Sequence, residues 1–302
     1  MSSKSVVIVI PARMNSSRLP GKPLREIAGK PLLTSVIEIA LNVANADDVV
    51  VATDHPDIEN LALQSNVEVL MTSQFHNNGT ERLIEVSKKK VADFYINLQG
   101  DEPLILSSDI ELLINELLSL KSDIVTLSHP ISSEEANNSS RVKVVCNSLN
   151  EALYFSRAKI PYGEKIYHQH IGIYGFTKNS LEIISRLNTS RLENVERLEQ
   201  LRWLYSNLKI KVLSTDNKST GVDTIDDLHL ADMTLRLRNI QLIISDVDGV
   251  LTNGQLIYSK YGEELKCFNS KDGMAIKILN SSGIKFCLLS ARDSKALRRR
   301  AE

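Results

Sequence analysis

Short runs rich in Val and Ile alternate with longer stretches whose apolar residues recur every three or four positions, and this alternation restricts the chain to an α/β architecture. Strands are predicted at 6–10, 49–53, 94–98, 124–128, 152–155 and 171–176. Helices are predicted at 31–43, 80–89, 108–120 and 192–205, the last as one well-formed helix. The pattern is that of a largely parallel sheet. Clusters of Pro, Gly, Asn and Ser place loops at 15–23, 77–79, 137–140 and 216–221. In open sheets of this kind, ligands bind beyond the carboxyl ends of the strands.

One feature interrupts the flow. After a helix-like stretch at 226–238, a new apolar strand at 240–245 runs directly into Asp246-Val247-Asp248-Gly249, so a second unit begins there. The chain is read as domains 1–238 and 239–302. A piece of about 60 residues is too short for an α/β domain to bury a stable core unaided.

Charge and apolar content exclude several functions. Lys plus Arg number 36 against 37 Asp plus Glu, a net charge of −1, which does not build a surface for nucleic acid. The longest apolar stretches, at 5–11 and 240–245, fall far short of the roughly 20 residues that span a bilayer, so no membrane insertion is expected. The first residues lack the charge pattern and cleavage site of a secretory signal. Cys146, Cys267 and Cys287 are scattered without CxxC spacing, as expected of reduced thiols in a cytoplasmic protein.

The loop leaving the first strand reads Pro11-Ala12-Arg13-Met14-Asn15-Ser16-Ser17-Arg18-Leu19-Pro20-Gly21-Lys22-Pro23-Leu24. It gathers Arg13, Arg18 and Lys22 with residues small enough for close backbone approach, a composition suited to a polyphosphate. The spacing is not that of a Walker A loop, because Pro23 follows Gly21-Lys22, and no GxGxxG follows the strand. A basic loop alone is as readily a solvated one.

This string resembles the signature of the cytidylyltransferases that activate acidic sugars, specifically the CMP-Kdo synthetase (3-deoxy-manno-octulosonate cytidylyltransferase) family, with Ser16 or Ser17 near the family's serine. The likeness continues in order through Val51-Ala52-Thr53-Asp54-His55, Met71-Thr72, Gly79-Thr80-Glu81-Arg82-Leu83, Asn97-Leu98-Gln99-Gly100-Asp101-Glu102-Pro103-Leu104, Ala152-Leu153-Tyr154-Phe155-Ser156-Arg157, His170-Ile171-Gly172-Ile173-Tyr174-Gly175, Leu198-Glu199-Gln200-Leu201-Arg202 and Gly221-Val222-Asp223-Thr224. It covers roughly residues 5–235. The Arg-Leu-Pro-Gly-Lys form of the loop favours Kdo over sialic acid.

The resemblance implies a Rossmann-like nucleotide-diphospho-sugar transferase domain, Mg²⁺ as cofactor, CTP and Kdo as substrates, CMP-Kdo for lipopolysaccharide biosynthesis as product, and a homodimer. Arg13, Lys22, Asp101 and Asp223 would be catalytic, with Asp101 and Asp223 on the metal. Pro11, Ala12, Arg13, Lys22, Thr72, Gly79 and Arg82 would bind nucleotide; Arg82 could also face the sugar. Gln99, Arg157, His170, Tyr174, Glu199 and Gln200 would bind the sugar. No nucleophilic Ser or Cys is implied. Plainer readings stand beside these roles. An Asp after a strand, or before Thr224, serves equally as a turn residue or cap. Glu199 and Gln200 fall in the middle of the predicted helix, where Glu199 could pair with Arg202. His170, placed just before a strand, could be a structural residue, and His168 is left out of the site. Substrate alternatives are N-acylneuraminate and 8-amino-Kdo.

In the second unit, Ile243-Ile244-Ser245-Asp246-Val247-Asp248-Gly249-Val250-Leu251-Thr252 resembles motif I of the haloacid-dehalogenase-like phosphatases, with Asp246 as nucleophile and Asp248 as general acid/base. Leu289-Ser290-Ala291-Arg292 extends the likeness to the Kdo 8-phosphate phosphatases, with Ser290 as the motif II hydroxyl. A fragment of a Ca²⁺ loop is the other reading of the aspartates. The later lysine motif and acidic pair are not found before Glu302, so this is read as a partial, truncated haloacid-dehalogenase-like α/β segment whose phosphatase site Asp246, Asp248 and Ser290 is vestigial. A further alternative is a phosphatase-type protein whose N-terminal domain only binds nucleotide.

Overall fold

The computed structural model describes residues 4–301 except 17, 239, 263, 282, 283 and 293, with backbone alone at 264 and 281. The chain divides into two compact units, Met1–Thr234 and Leu235–Glu302.

The first unit holds strands β1 (Val6–Ala12), β2 (Glu26–Ile27), β3 (Lys30–Pro31), β4 (Asp48–Thr53), β5 (Glu68–Met71), β6 (Phe94–Asn97), β7 (Ile124–Ser132), β8 (Lys143–Cys146), β9 (Ala152–Ser156), β10 (Ile166–Thr177) and β11 (Lys211–Ser214). Its helices are α1 (Leu32–Leu41), α2 (Pro56–Gln64), α3 (Gly79–Lys89), α4 (Ser107–Leu118), α5 (Lys178–Ile184), α6 (Arg191–Glu196) and α7 (Gln200–Tyr205), and α8 (Ile225–Arg238) runs across the division.

The sheet runs β11-β7-β10-β6-β1-β4-β5. β1 pairs in parallel with β4 and β6, β4 with β5, and β11 with β7, so the sheet is mostly parallel, as predicted. β10 alone on this path runs against both its neighbours. Every residue of β1 is buried, as expected of a central strand covered on both faces. β8 and β9 form an antiparallel annex joined to β10 at Lys143 and Gln169.

Two expectations need correction. The predicted helix 192–205 is broken into α6 and α7, because Arg197 adopts a left-handed conformation with φ 55° and closes α6 through its N–H to the Glu193 carbonyl. Apolar periodicity persists across the break, which hides it. The strand predicted at 171–176 begins instead at Ile166, so His170 lies inside β10, and the ladder shifts register between Ile171 and Tyr174.

In the second unit, β12 (Leu242–Asp246) pairs in parallel with β15 (Lys285–Leu289), and β13 (Ile257–Tyr258) pairs with β14 (Glu264–Leu265). Helices α9 (Ser270–Ser281) and α10 (Lys295–Ala301) accompany them.

Candidate active site

The carboxyl ends of β1 and β6 and the N-terminus of α3 frame a cleft of about 860 Å³, open mouth included. Its walls include Pro11, Ala12, Arg13, Ser16, Arg18 and Lys22 from the first loop, and Gly79, Arg82, Gln99, Asp101 and Asp223 from elsewhere. Ser17 lies outside the described residues. The loop returns to the sheet through Gly21, whose φ of +67° is a left-handed value that favours glycine. A short 3₁₀ turn from Lys22 to Leu24 follows, anchored by buried Pro23. That turn aims Lys22 back over the strand ends.

Lys22 Nζ donates to Asp101 Oδ2 at 2.6 Å and to Asp223 Oδ1 at 3.2 Å, and Arg18 pairs with Asp223 Oδ2 at 3.0 Å. Burial alone would lower the Lys22 pKa, but the charges of Asp101 and Asp223 outweigh it and hold it above its ordinary value. Asp223 reaches this place because the Val222 N–H donates to the Asp101 carbonyl at 2.8 Å, which docks the 219–223 segment against the turn after β6. Asp223 and Asp101 thus converge on one ammonium group. Two carboxylates open to a cleft are the protein share that Mg²⁺ ordinarily takes, with water and phosphate oxygens supplying the rest. The donor set fits that ion.

Beside Asp101, Glu102 also has a part in the site. Its carboxyl is buried, accepts from Ser219 Oγ at 2.9 Å, and sits against Gly221, where a Cβ would come within 3.0 Å of Oε1. Burial pushes its pKa up to about 8, and the neighbouring charge of Asp101 adds to the rise. Nothing local marks it, since its partners come from a loop more than a hundred positions away.

α3 begins with Asn78 as cap, its Oδ1 accepting from the Glu81 N–H at 2.9 Å. Gly79 follows because no side chain fits: a Cβ there would lie 2.8 Å from Gln99 Nε2 and 3.1 Å from Pro11 Cγ. Arg82 is buried and held by Asp54 at 3.3 Å and by the Thr72 hydroxyl. Thr72 itself, expected among the nucleotide contacts, does not line the cleft; its hydroxyl is taken up by Arg82 and by the Thr53 carbonyl at 3.1 Å. It supports Arg82.

Of the residues expected at the sugar, only Gln99 lies on the cleft wall. Behind Gly79 and Gln99 is a buried polar layer. Asn97 Nδ2 donates to Thr80 Oγ1 at 3.4 Å, and Thr80 Oγ1 donates to Glu199 Oε1 at 2.8 Å. Glu199 is therefore not a mid-helix residue with a solvated face. It immediately precedes α7 and makes no side-chain cap bond to it, and Arg202 pairs with Glu193 at 3.4 Å. Burial raises the Glu199 pKa to about 7. Tyr174, paired with Asn97 across the sheet, lies in an aromatic stack with His170, Phe176 and Trp203. Burial, then the Glu199 charge, moves its phenol well above the usual range. His170 Nε2 meets Thr126 Oγ1 at 3.0 Å, and burial lowers its imidazole to about 3, so the ring is neutral. Gln200 is buried at the start of α7. Arg157 stands apart, its Nε donating to the Glu196 carbonyl at 2.9 Å. Among the described residues, three buried atoms of the polar layer, Asn97 Oδ1, Glu199 Oε2 and Tyr174 Oη, find no hydrogen-bond partner of good geometry. Such a cluster is rare in a folded interior.

In the second unit, Asp246 ends β12 opposite Leu289, so Asp246 and Ser290 lie at the carboxyl ends of neighbouring parallel strands. Lys266 Nζ pairs with Asp248 Oδ1 at 2.5 Å.

An α/β fold whose basic first loop and paired aspartates share one cleft defines a nucleotidyltransferase, and a family model described as cytidylyltransferase matches residues 7–210. A 3-deoxy-manno-octulosonate cytidylyltransferase of Escherichia coli is 46% identical over 226 residues, spanning 72% of this chain and 91% of its own. That of Acidobacterium capsulatum is 39% identical over 240 residues, spanning 78% and 98%. A solved structure of CMP:2-keto-3-deoxy-manno-octonic acid synthetase complexed with CTP superposes with a TM-score of 0.75 at 42% identity, covering 78% of this chain and 99% of that one. A cytidylyltransferase structure from Leptospira borgpetersenii, 19% identical with a TM-score of 0.57, covers 94% of this chain and shares the fold. The chain belongs to the 3-deoxy-manno-octulosonate cytidylyltransferase family. Among the described residues, no helix is long and apolar enough to cross a membrane.

Proposed function

We propose that this protein transfers CMP from CTP to the anomeric hydroxyl of Kdo, releasing pyrophosphate and supplying CMP-Kdo for lipopolysaccharide assembly. The anomeric oxygen bonds to the α-phosphorus as the bond from that phosphorus to the bridging oxygen of the β-phosphate breaks, with the hydroxyl proton passing to solvent and pyrophosphate leaving. The observation that carries this reading is the convergence of Arg13, Arg18 and Lys22 with Asp101 and Asp223 in one cleft. The basic side chains neutralise the triphosphate, and Gly79 with the α3 N-terminus lets phosphate approach backbone N–H groups. Catalysis is then chiefly alignment and charge stabilisation. Asp101 and Asp223 would hold Mg²⁺, which when bound neutralises phosphate charge and activates the attacking oxygen. Lys22 releases the aspartates as it takes phosphate. Gln99 on the cleft wall and the buried layer of Tyr174 and Glu199 would supply donors and acceptors for the sugar, as the unpartnered Glu199 Oε2 and Tyr174 Oη support, and His170, Gln200 and Arg157 join them on the family resemblance alone.

The test is pyrophosphate release from CTP with Kdo, 8-amino-Kdo and N-acetylneuraminate offered in turn. Kdo is expected to be preferred. Release with none of them removes the proposal, and preference for another acid reassigns the substrate.

The same reading includes a homodimer, supported by exposed Leu153, Tyr162 and Ile166 around the antiparallel annex, and a cytoplasmic setting, supported by three free cysteines. For the second unit we propose a haloacid-dehalogenase-like segment, on the strength of Asp246 and Ser290 lying together at the carboxyl ends of paired parallel strands.

A further inference from the structure

Lys143 is a lysine with no solvent exposure at all, and none of the chemistry above uses it. Such a group is costly to bury unless its protons are taken up. Here all three are accounted for: Nζ donates to the carbonyls of Asn138 at 3.1 Å, Arg141 at 2.6 Å and Arg157 at 2.7 Å. Burial lowers its pKa, and the nearby Arg157 charge acts in the same direction. The acceptors are not random. Two bracket the 138–141 loop, and the third is the backbone of Arg157 itself.

Arg157 is held from the same side. Its Nη1 donates to the Ser139 carbonyl, inside the loop that Lys143 ties down, at 3.3 Å, and its Nε donates to the Glu196 carbonyl at 2.9 Å. The Glu196 carboxylate also accepts from the Arg157 N–H at 2.9 Å and from Ser156 Oγ at 2.6 Å. Lys143 is anchored in turn, since β8 pairs it with Ser156 on one side and Gln169 on the other. The ammonium group thus joins the root of the arginine to the loop that steadies its tip.

We propose that Lys143 is a positioning residue for the sugar acid, setting the direction of the Arg157 guanidinium through the Arg157 carbonyl and the 138–141 loop. This rests on the reading of Arg157 as a contact to the sugar.

The experiment is a cycle of Lys143→Met, Arg157→Ala and the double variant, with KM for Kdo, KM for CTP and kcat measured for each. Lys143→Met is expected to raise KM for Kdo about tenfold while KM for CTP and kcat stay within about twofold, and the double variant is expected to be no worse than Arg157→Ala alone. Equal losses toward both substrates, or effects that multiply in the double variant, overturn the proposal. If Arg157→Ala leaves KM for Kdo unchanged, it is the underlying reading of Arg157 that fails. Should Lys143→Met not fold, Lys143→Gln, which keeps two donors, is read the same way; failure of both to fold also overturns the proposal, because the lysine then serves the whole domain rather than the loop.

Discussion

The Asp101 and Asp223 side chains are partly exposed, at 33% and 46%, and Asn matches Asp in shape, so replacing either carboxylate removes charge without opening a cavity. Asp101→Asn and Asp223→Asn are therefore expected to lower turnover by at least about 100-fold while circular dichroism and melting temperature stay near wild type. Full activity in either variant removes that residue from the metal pair. Glu199 gives a prediction in pH. Its carboxyl titrates near 7 in the folded protein against an ordinary 4.5. Between those values the folded state holds a proton that the unfolded chain has released, so this group's stabilising effect is complete below pH 4.5 and is lost as pH rises through 7. Glu199→Gln keeps an acceptor for Thr80 and removes the slope, so it should gain up to about 3 kcal/mol relative to wild type at pH 8 and nothing at pH 4. Melting curves at the two pH values decide it; equal shifts at both would show that the carboxyl is not buried as described. Arg13, Lys22, Asp101 and Asp223 were legible in the sequence because each lies in a contiguous motif with a recognisable residue type. Glu102 was not, since its burial depends on Ser219 and Gly221, and the support that the Thr72 hydroxyl gives Arg82 is equally invisible, because a hydroxyl beside a motif does not reveal which side chain will claim it.

Among the elements, the break between α6 and α7 is the feature that most changes the site. A continuous helix would set Glu199 beside Arg202 three residues on, whereas the left-handed Arg197 redirects the chain so that Glu199 enters the polar layer and meets Thr80. The sequence Leu192–Tyr205 keeps helical spacing throughout, and Arg carries no signal for positive φ, so periodicity could not locate the turn. Arg197→Gly relieves that conformation and is expected to stabilise the protein by about 1 kcal/mol, visible as a rise in the urea midpoint at unchanged m-value. A decrease would mean that the Arg197 side chain contributes more than its backbone costs. The strand elements were easier to read. β1, β4 and β6 are short, continuous apolar runs, as expected of strands covered on both faces, whereas β5, β8 and β11, four residues each, and the reversed direction of β10 emerge only in three dimensions.

At the scale of the molecule, the two units differ in how well they are covered. The first has a sheet packed on both faces. In the second, β12 and β15 each bury only alternate residues partially, and Ile244 and Leu289 are 61% and 64% exposed. Calorimetry is expected to show two transitions, the lower one belonging to the second unit, with limited proteolysis cutting there first. A single cooperative transition would contradict this. The docking of Asp223 onto the turn after β6 also has a meaning for synthesis. Lys22 and Asp223 are separated by 201 positions, so at roughly 5–20 residues per second the basic loop leaves the ribosome about 10–40 s before Asp223 does. During that interval a nascent chain carries the cations of the site without the aspartate that balances them, exposed to whatever polyanions surround the ribosome.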